Sequence, residues 1–194
     1  MSQAEGVNVQ RRRVLIASTA VIGAAGVAAV ATPFVRSWTP SAKAEAAGAA
    51  VTQDISAIDE GQMIVVKYRG KPIFIVKRTE EMVTTLGPVE ALLVDPESNE
   101  SLQPEYTKNQ NRSIEPGLLV VEGVCTHLGC APNYRPDVGA ADLGGNDWYG
   151  GFFCPCHGSK YDIAGRVYSG VPAPTNLPIP DYNVKGTILT VGEA

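Results

Sequence analysis

Apolar and polar positions change rhythm along the chain of 194 residues. From Val14 to Val35 there are 22 residues without a charge, rich in Ala, Val and Gly and interrupted only by small hydroxyls and Pro33. As a helix this run spans about 33 Å at about 1.5 Å per residue, enough for a bilayer core. A buried core helix seldom runs this long without a polar face, and none is present. Ser41 to Ala50 has no large apolar residue and cannot help form a core, so it reads as a linker.

Beyond the linker the rhythm becomes that of strands. Met63 to Tyr68, a turn at Arg69-Gly70-Lys71, and Pro72 to Val76 give a β-hairpin pattern. Thr79-Glu80-Glu81 is expected to open a short helix through Leu86, with the hydroxyl as N-cap and the acids at the positive end of the helix dipole. Residues 95–117 are polar, contain Pro and Asn, and read as loop. Leu118 to Val121 has the pattern of a buried strand. Tyr161-Asp162-Ile163 and Arg166-Val167-Tyr168 flank Ala164-Gly165 as an expected hairpin, and Val184 to Val191 is expected to form another. There is no internal repeat and no second long helical pattern, so the domain after the linker is expected to be mainly β.

Charge adds orientation. Arg11, Arg12 and Arg13 stand directly before the apolar run, which by the positive-inside rule keeps the N-terminus cytoplasmic and puts everything after Arg36 outside the cytoplasm. Arg-Arg-x before Val14-Leu15 or Leu15-Ile16 also resembles a twin-arginine export signal, the route of proteins that fold around a cofactor before crossing. Ala29-Val30-Ala31 has the small-x-small form of a signal-peptidase site, so cleavage after Ala31 rivals retention. The run's length and its continuation to Trp38 favour an anchor. The absence of an Arg/Ser-rich presequence favours a bacterial chain over an organellar precursor. From Val51 onward there are 11 Lys+Arg against 18 Asp+Glu, a net of −7, which argues against a nucleic-acid partner.

All four cysteines and both histidines fall in two stretches, Cys125-Thr126-His127-Leu128-Gly129-Cys130 and Cys154-Pro155-Cys156-His157-Gly158-Ser159. Three readings compete. Two disulfides in an oxidising compartment would leave the paired histidines incidental. A structural zinc suits two thiolates and two imidazoles, but its usual spacing pairs like with like, and each stretch here mixes them. A Rieske [2Fe-2S] centre uses that mixing, because one iron takes two thiolates and the other two imidazoles.

The two stretches resemble the two boxes of the Rieske iron-sulfur subunit of bacterial cytochrome bc complexes (ubiquinol-cytochrome c reductases), and the resemblance runs from the arginine-led anchor to the C-terminus. It implies that Cys125 and Cys154 bind one iron, His127 and His157 bind the other, and Cys130 and Cys156 form a disulfide clamping the loops. Ser159 and Tyr161 then stand where high-potential members donate hydrogen bonds to a bridging sulfide and a cysteine sulfur. Leu128 would lie on the docking surface. Gly170, Pro172 and Pro174 would belong to a proline-rich loop covering the cluster. Either histidine is a candidate for proton-coupled contact with quinol, and the resemblance points to His157.

The fold so implied is mainly β: a single N-terminal transmembrane helix, then a Rieske-type antiparallel β-sandwich with a small cluster-binding subdomain. Its expected segments are a cytoplasmic N-terminus at 1–13, an anchor at 14–38, a hinge linker at 39–50 and a Rieske domain at 51–194, with the cluster-binding part near 122–175. The implied partners are a cytochrome b subunit, a haem-bearing c-type cytochrome subunit and ubiquinol or a similar quinol, in a dimeric complex of the bacterial inner membrane with the head periplasmic. The small Rieske subunit of an exported molybdenum oxidase, of the arsenite oxidase type, is the alternative enzyme. The zinc module is the non-redox one.

Overall fold

A computed structural model describes residue 6 and residues 8–193. Residues 1–5 and 7 of the expected cytoplasmic N-terminus lie outside the described residues. The chain divides into two compact units, residues 1–46 and 47–194.

In the first unit the uncharged run forms α1 (Val9–Arg36), which starts before the triple arginine, with the Asn8 side chain accepting from the Arg11 N–H as N-cap. It is the one helix among the described residues long and apolar enough to cross a membrane. Pro33 sits in its last turn, and Trp38 just beyond it is 85% exposed. A short helix of small residues, α2 (Ala42–Gly48), occupies most of the expected linker.

The second unit is built on three antiparallel sheets of three strands each. Strands β2 (Met63–Tyr68), β3 (Lys71–Lys77) and β4 (Leu118–Glu122) form one, with Val65 opposite Phe74 and Ile75 opposite Val120. The unbroken apolar runs of β3 and β4 are those of strands covered on both faces, and Ile73, Ile75, Val76 and Leu119 to Val121 are fully buried. The β2–β3 turn takes positive φ at Arg69 and Gly70, the geometry that follows strand twist, and the Arg69 guanidinium lies over the Tyr68 ring. A second sheet pairs β1 (Val51–Asp54) with β9 (Ile188–Val191) and β9 with β8 (Tyr182–Lys185). The third joins β5 (Asn133–Arg135), β6 (Gly151–Cys154) and β7 (Ser159–Asp162).

Thr79 caps α3 (Glu80–Thr84) by accepting from the Met82 N–H, as its sequence leads one to expect. The hairpin expected around Ala164-Gly165 is only partly present. The turn closes, with Gly165 N–H donating to Asp162 O, but its second arm makes a single bridge to the first, Tyr161 to Val167, and a further one to Leu93 from Tyr168. Polar side chains take over from the ladder there: Asp162 accepts from the Arg166 backbone and guanidinium, and the Asn176 side chain accepts from the Val167 N–H. Strand β7 pairs instead with β6.

Beside the main core lies a smaller one of Val89, Leu93, Leu143, Trp148 and Tyr168. Fully buried Trp148 stacks on Tyr168, and Lys160 sits over the tyrosine ring while donating to Leu143 O. This packing secures the long connection between β5 and β6.

Candidate metal centre

The two cysteine-histidine stretches are loops built alike. The first follows β4, where Cys125 N–H donates to Cys130 O at 2.8 Å and Gly129 N–H donates to Cys125 O at 2.9 Å. The second closes the β6–β7 hairpin, where Gly158 N–H donates to Cys154 O at 3.0 Å. Gly129 and Gly158 have φ of 84° and 79°, a region open to glycine at little cost. Each loop is thus one turn, closed four residues after its first cysteine. The repeated Cys-x-x-x-Gly spacing is the signal for this in the sequence.

Cys130 and Cys156 are joined in a disulfide that ties loop to loop. Cys125 and Cys154 are free and buried, each 2% exposed. The His127 and His157 rings meet edge to face with centroids 4.7 Å apart; His127 is half-buried and His157 exposed. The sulfurs of Cys130, Cys154 and Cys156 also lie within 4.8 Å of one another, but two of them are bonded together and offer no thiolate. The donor set is therefore two buried thiols and two adjacent imidazoles at the outer edge. It fits a group that needs soft sulfur on one side and imidazole nitrogen on the other.

Tyr161, fully buried on β7, places its hydroxyl 3.2 Å from Cys125 Sγ. The same oxygen accepts from the Thr126 N–H at 3.1 Å and lies 3.1 Å from Thr126 Oγ1. Because Thr126 gives its hydroxyl proton to Thr175 O, the Tyr161 proton is left to Thr126 Oγ1 or to the sulfur. Burial opposes ionisation of the Cys125 thiol, yet hydrogen bonding from Tyr161, then the backbone at His127, brings it below the ordinary cysteine value. Burial dominates at Cys154 and pushes its thiol up, and burial likewise raises the Tyr161 phenol. Thr126 was not singled out from the sequence, since a threonine between two ligand-type residues carries no signal of its own.

Ser159 is fully buried and accepts from the Ala173 N–H at 3.1 Å, which lays the Gly170–Pro174 segment against β7 and leaves the serine proton for another acceptor. Within that segment Gly170, Pro172 and Pro174 are exposed and Ala173 is buried. Leu128, at the tip of the first loop, is 72% exposed. Gly151 has φ 146°, and a Cβ there would collide with the Tyr161 carbonyl oxygen, so only glycine lets β6 pass close enough to hold Tyr161 in register.

Residues 49–183 match the family described as "Rieske [2Fe-2S] domain", and residues 1–41 match "Ubiquitinol-cytochrome C reductase Fe-S subunit TAT signal". The ubiquinol-cytochrome c reductase iron-sulfur subunit of Allochromatium vinosum is 53% identical over 191 residues, covering 98% of this chain and 92% of that protein. The chain belongs to this family of Rieske iron-sulfur subunits. The subunit of the same name from Blastochloris viridis is 43% identical over 99% of this chain and 98% of its own length. The mitochondrial cytochrome b-c1 complex subunit Rieske of Schizosaccharomyces pombe is 40% identical over 92% of this chain and 69% of its own length. As a member, the Rieske chain carries one [2Fe-2S] cluster, and α1 and the matched signal point to a membrane anchor.

Proposed function

We propose that this Rieske subunit takes an electron, coupled to a proton, from quinol at the outer face of the bacterial inner membrane and passes it to a c-type cytochrome subunit. The observation that carries this reading is the asymmetry of the site: both free thiols are buried, while the His157 imidazole is exposed at the tip. In this reading Cys125 and Cys154 hold one iron and His127 and His157 the other. When bound, the cluster supplies a one-electron acceptor whose potential, with two imidazole ligands, falls in a range of roughly −150 to +300 mV.

The protein's own groups do the remaining work. His157 presents its second ring nitrogen to the quinol hydroxyl, accepts its hydrogen bond and holds the departing proton. Exposed Leu128 adds an apolar contact beside it. In this reading the Tyr161 hydroxyl, 3.2 Å from Cys125 Sγ, and the Ser159 hydroxyl, whose proton the Ala173 bond leaves free, donate toward the sulfur of the site, which favours added negative charge. The disulfide keeps the two loops together, the Thr126–Thr175 bond ties the first of them to the chain just after Pro174, and the Gly170–Pro174 segment limits water. α1 anchors the chain with its N-terminus cytoplasmic and the head periplasmic, and residues 39–50 act as the hinge between quinol and haem sites. Cytochrome b and c-type cytochrome subunits are the partners in a dimeric complex.

The test is paramagnetic resonance on the reduced full-length chain. A rhombic signal with an average g below the free-electron value is expected, and its absence would remove the iron-sulfur reading. Co-purification with a dihaem cytochrome b is expected, and recovery with a molybdenum subunit instead would replace the assigned enzyme. Prolines placed between Ser41 and Ala50 are expected to slow turnover while leaving the signal intact. Unchanged turnover would make the segment a passive tether.

A further inference from the structure

Behind Tyr161 the protein buries an unusual charge. Arg78, Arg112 and Arg166 are 3%, 0% and 0% exposed, and one buried carboxylate, Asp162, stands among them. Asp162 is committed to Arg166, with Oδ2 accepting from Nε at 2.7 Å and Oδ1 accepting from the Arg166 and Ala164 N–H groups. Glu90, half-exposed, lies 3.5 Å from the same guanidinium.

The other two arginines have only neutral acceptors. Arg112 donates to Gln103 Oε1, Ala164 O and Leu177 O. Arg78 donates to Asn111 O, Ile163 O, Ser113 Oγ and Leu118 O. Burial lowers both guanidinium groups to about 10, which leaves them cationic at neutral pH. Their anchor points are specific. Ile163 and Ala164 are the two residues after Asp162, in the turn that continues β7 directly from Tyr161, whose hydroxyl touches Cys125 Sγ.

Stapling loop residues 95–117 to this turn would need only donors, which neutral side chains also supply. Cations are the costlier choice for a buried site, because desolvation penalises them and neutral acceptors do not repay it fully. What a buried cation adds is a field that salt screens far less than that of a surface charge.

We propose that Arg78 and Arg112 form a fixed positive charge that raises the affinity of the site for an electron, with Asp162 acting in the opposite sense. This rests on the assignment of the cluster to Cys125, His127, Cys154 and His157. At a pH where the imidazoles take up no proton, the pH chosen for the titration, reduction adds one negative charge at the site, so every fixed cation behind it favours the reduced form and every fixed anion disfavours it. At an effective dielectric constant of about 20, Coulomb's law gives a unit charge an effect on the equilibrium constant for reduction of about tenfold at a separation of about 12 Å and about fourfold at about 20 Å. Tenfold corresponds to about 59 mV for a one-electron couple.

The experiment is a redox titration of the full-length chain in its complex, followed by the paramagnetic signal of the reduced cluster. Arg112→Met and Arg78→Met are each expected to lower the midpoint potential by that factor, and Arg112→Lys, which keeps the charge but loses the forked donor, to hold it near the parent value. Asp162→Asn is expected to raise it. Methionine variants that keep the signal and the parent potential would overturn the proposal. So would an equal fall in Arg112→Lys and Arg112→Met, which assigns the effect to packing, or a fall in Asp162→Asn. If Arg112→Met does not accumulate, the opposite signs expected of Arg78→Met and Asp162→Asn decide the matter. A parent chain without the signal would instead sink the cluster assignment.

Discussion

The head is held in two different ways at its two ends. In the sheet of β2, β3 and β4 the strands β3 and β4 bury continuous apolar runs, and Ile73, Ile75 and Leu119 have no exposure at all. Around the metal centre the strands are three or four residues long, and most of the chain is turn. What fixes those turns is a disulfide, two glycine-closed loops and hydrogen bonds from Thr126, Tyr161, Ser159, Asp162 and Asn176. Apolar burial tolerates exchange among residues of similar size, whereas a hydrogen-bonded turn depends on particular atoms. A site that must point thiols inward and imidazoles outward from short loops leans mainly on the second kind of support.

The largest effect is expected where the apolar end is cut. Ile75→Ala removes a fully buried side chain from the central strand and should cost about 2–5 kcal/mol, with the whole head melting at once and the cluster signal lost in the same transition. Replacing Cys130 and Cys156 together by Ser should cost about 2–4 kcal/mol but act locally. Here the cluster signal is expected to fade at temperatures where far-ultraviolet dichroism still reports intact strands. Coincident loss in both variants would erase the distinction between the two ends.

Smaller changes sharpen it. Tyr161→Phe and Ser159→Ala each remove one hydroxyl, and each should cost about 1 kcal/mol of stability while lowering the midpoint potential. A potential unmoved in both variants would show that these hydroxyls do not tune the site. Leu128→Ala should leave the melting curve unchanged, since the side chain is 72% exposed, and raise the KM for quinol. An unchanged KM would take Leu128 off the docking surface.

The same contrast governs what could be read from the residues alone. α1, the β2–β3 hairpin, the cap at Thr79 and β4 announce themselves because their pattern is the cause of their structure. Strands β5 and β6 are too short to show a period, and β1 comes directly after a linker of small residues. At the site, cysteine and histidine are scarce enough to point to themselves. Thr126, Gly151, Asp162 and the buried arginines are not, because their roles come from partners distant in the chain: Arg112 meets Leu177 across 65 residues, and Arg78 meets Ile163 across 85. The Ala164-Gly165 turn was legible for a similar reason in reverse, as its glycine is local, while the course of its second arm, which also bonds Asn176 and bridges Leu93, depends on residues elsewhere.

Trp148 gives the protein an optical consequence of its own. The chain has two tryptophans, Trp38 uncovered by protein just past α1, where the anchor reading places it at the membrane-water boundary, and Trp148 sealed against Tyr168. Their emission should therefore separate by colour and by access to a soluble quencher. The shielded, bluer component reports on the packing of the long connection that leads into the second loop. Following it needs no label and no added dye, so loosening at the metal-bearing end can be timed in the intact chain.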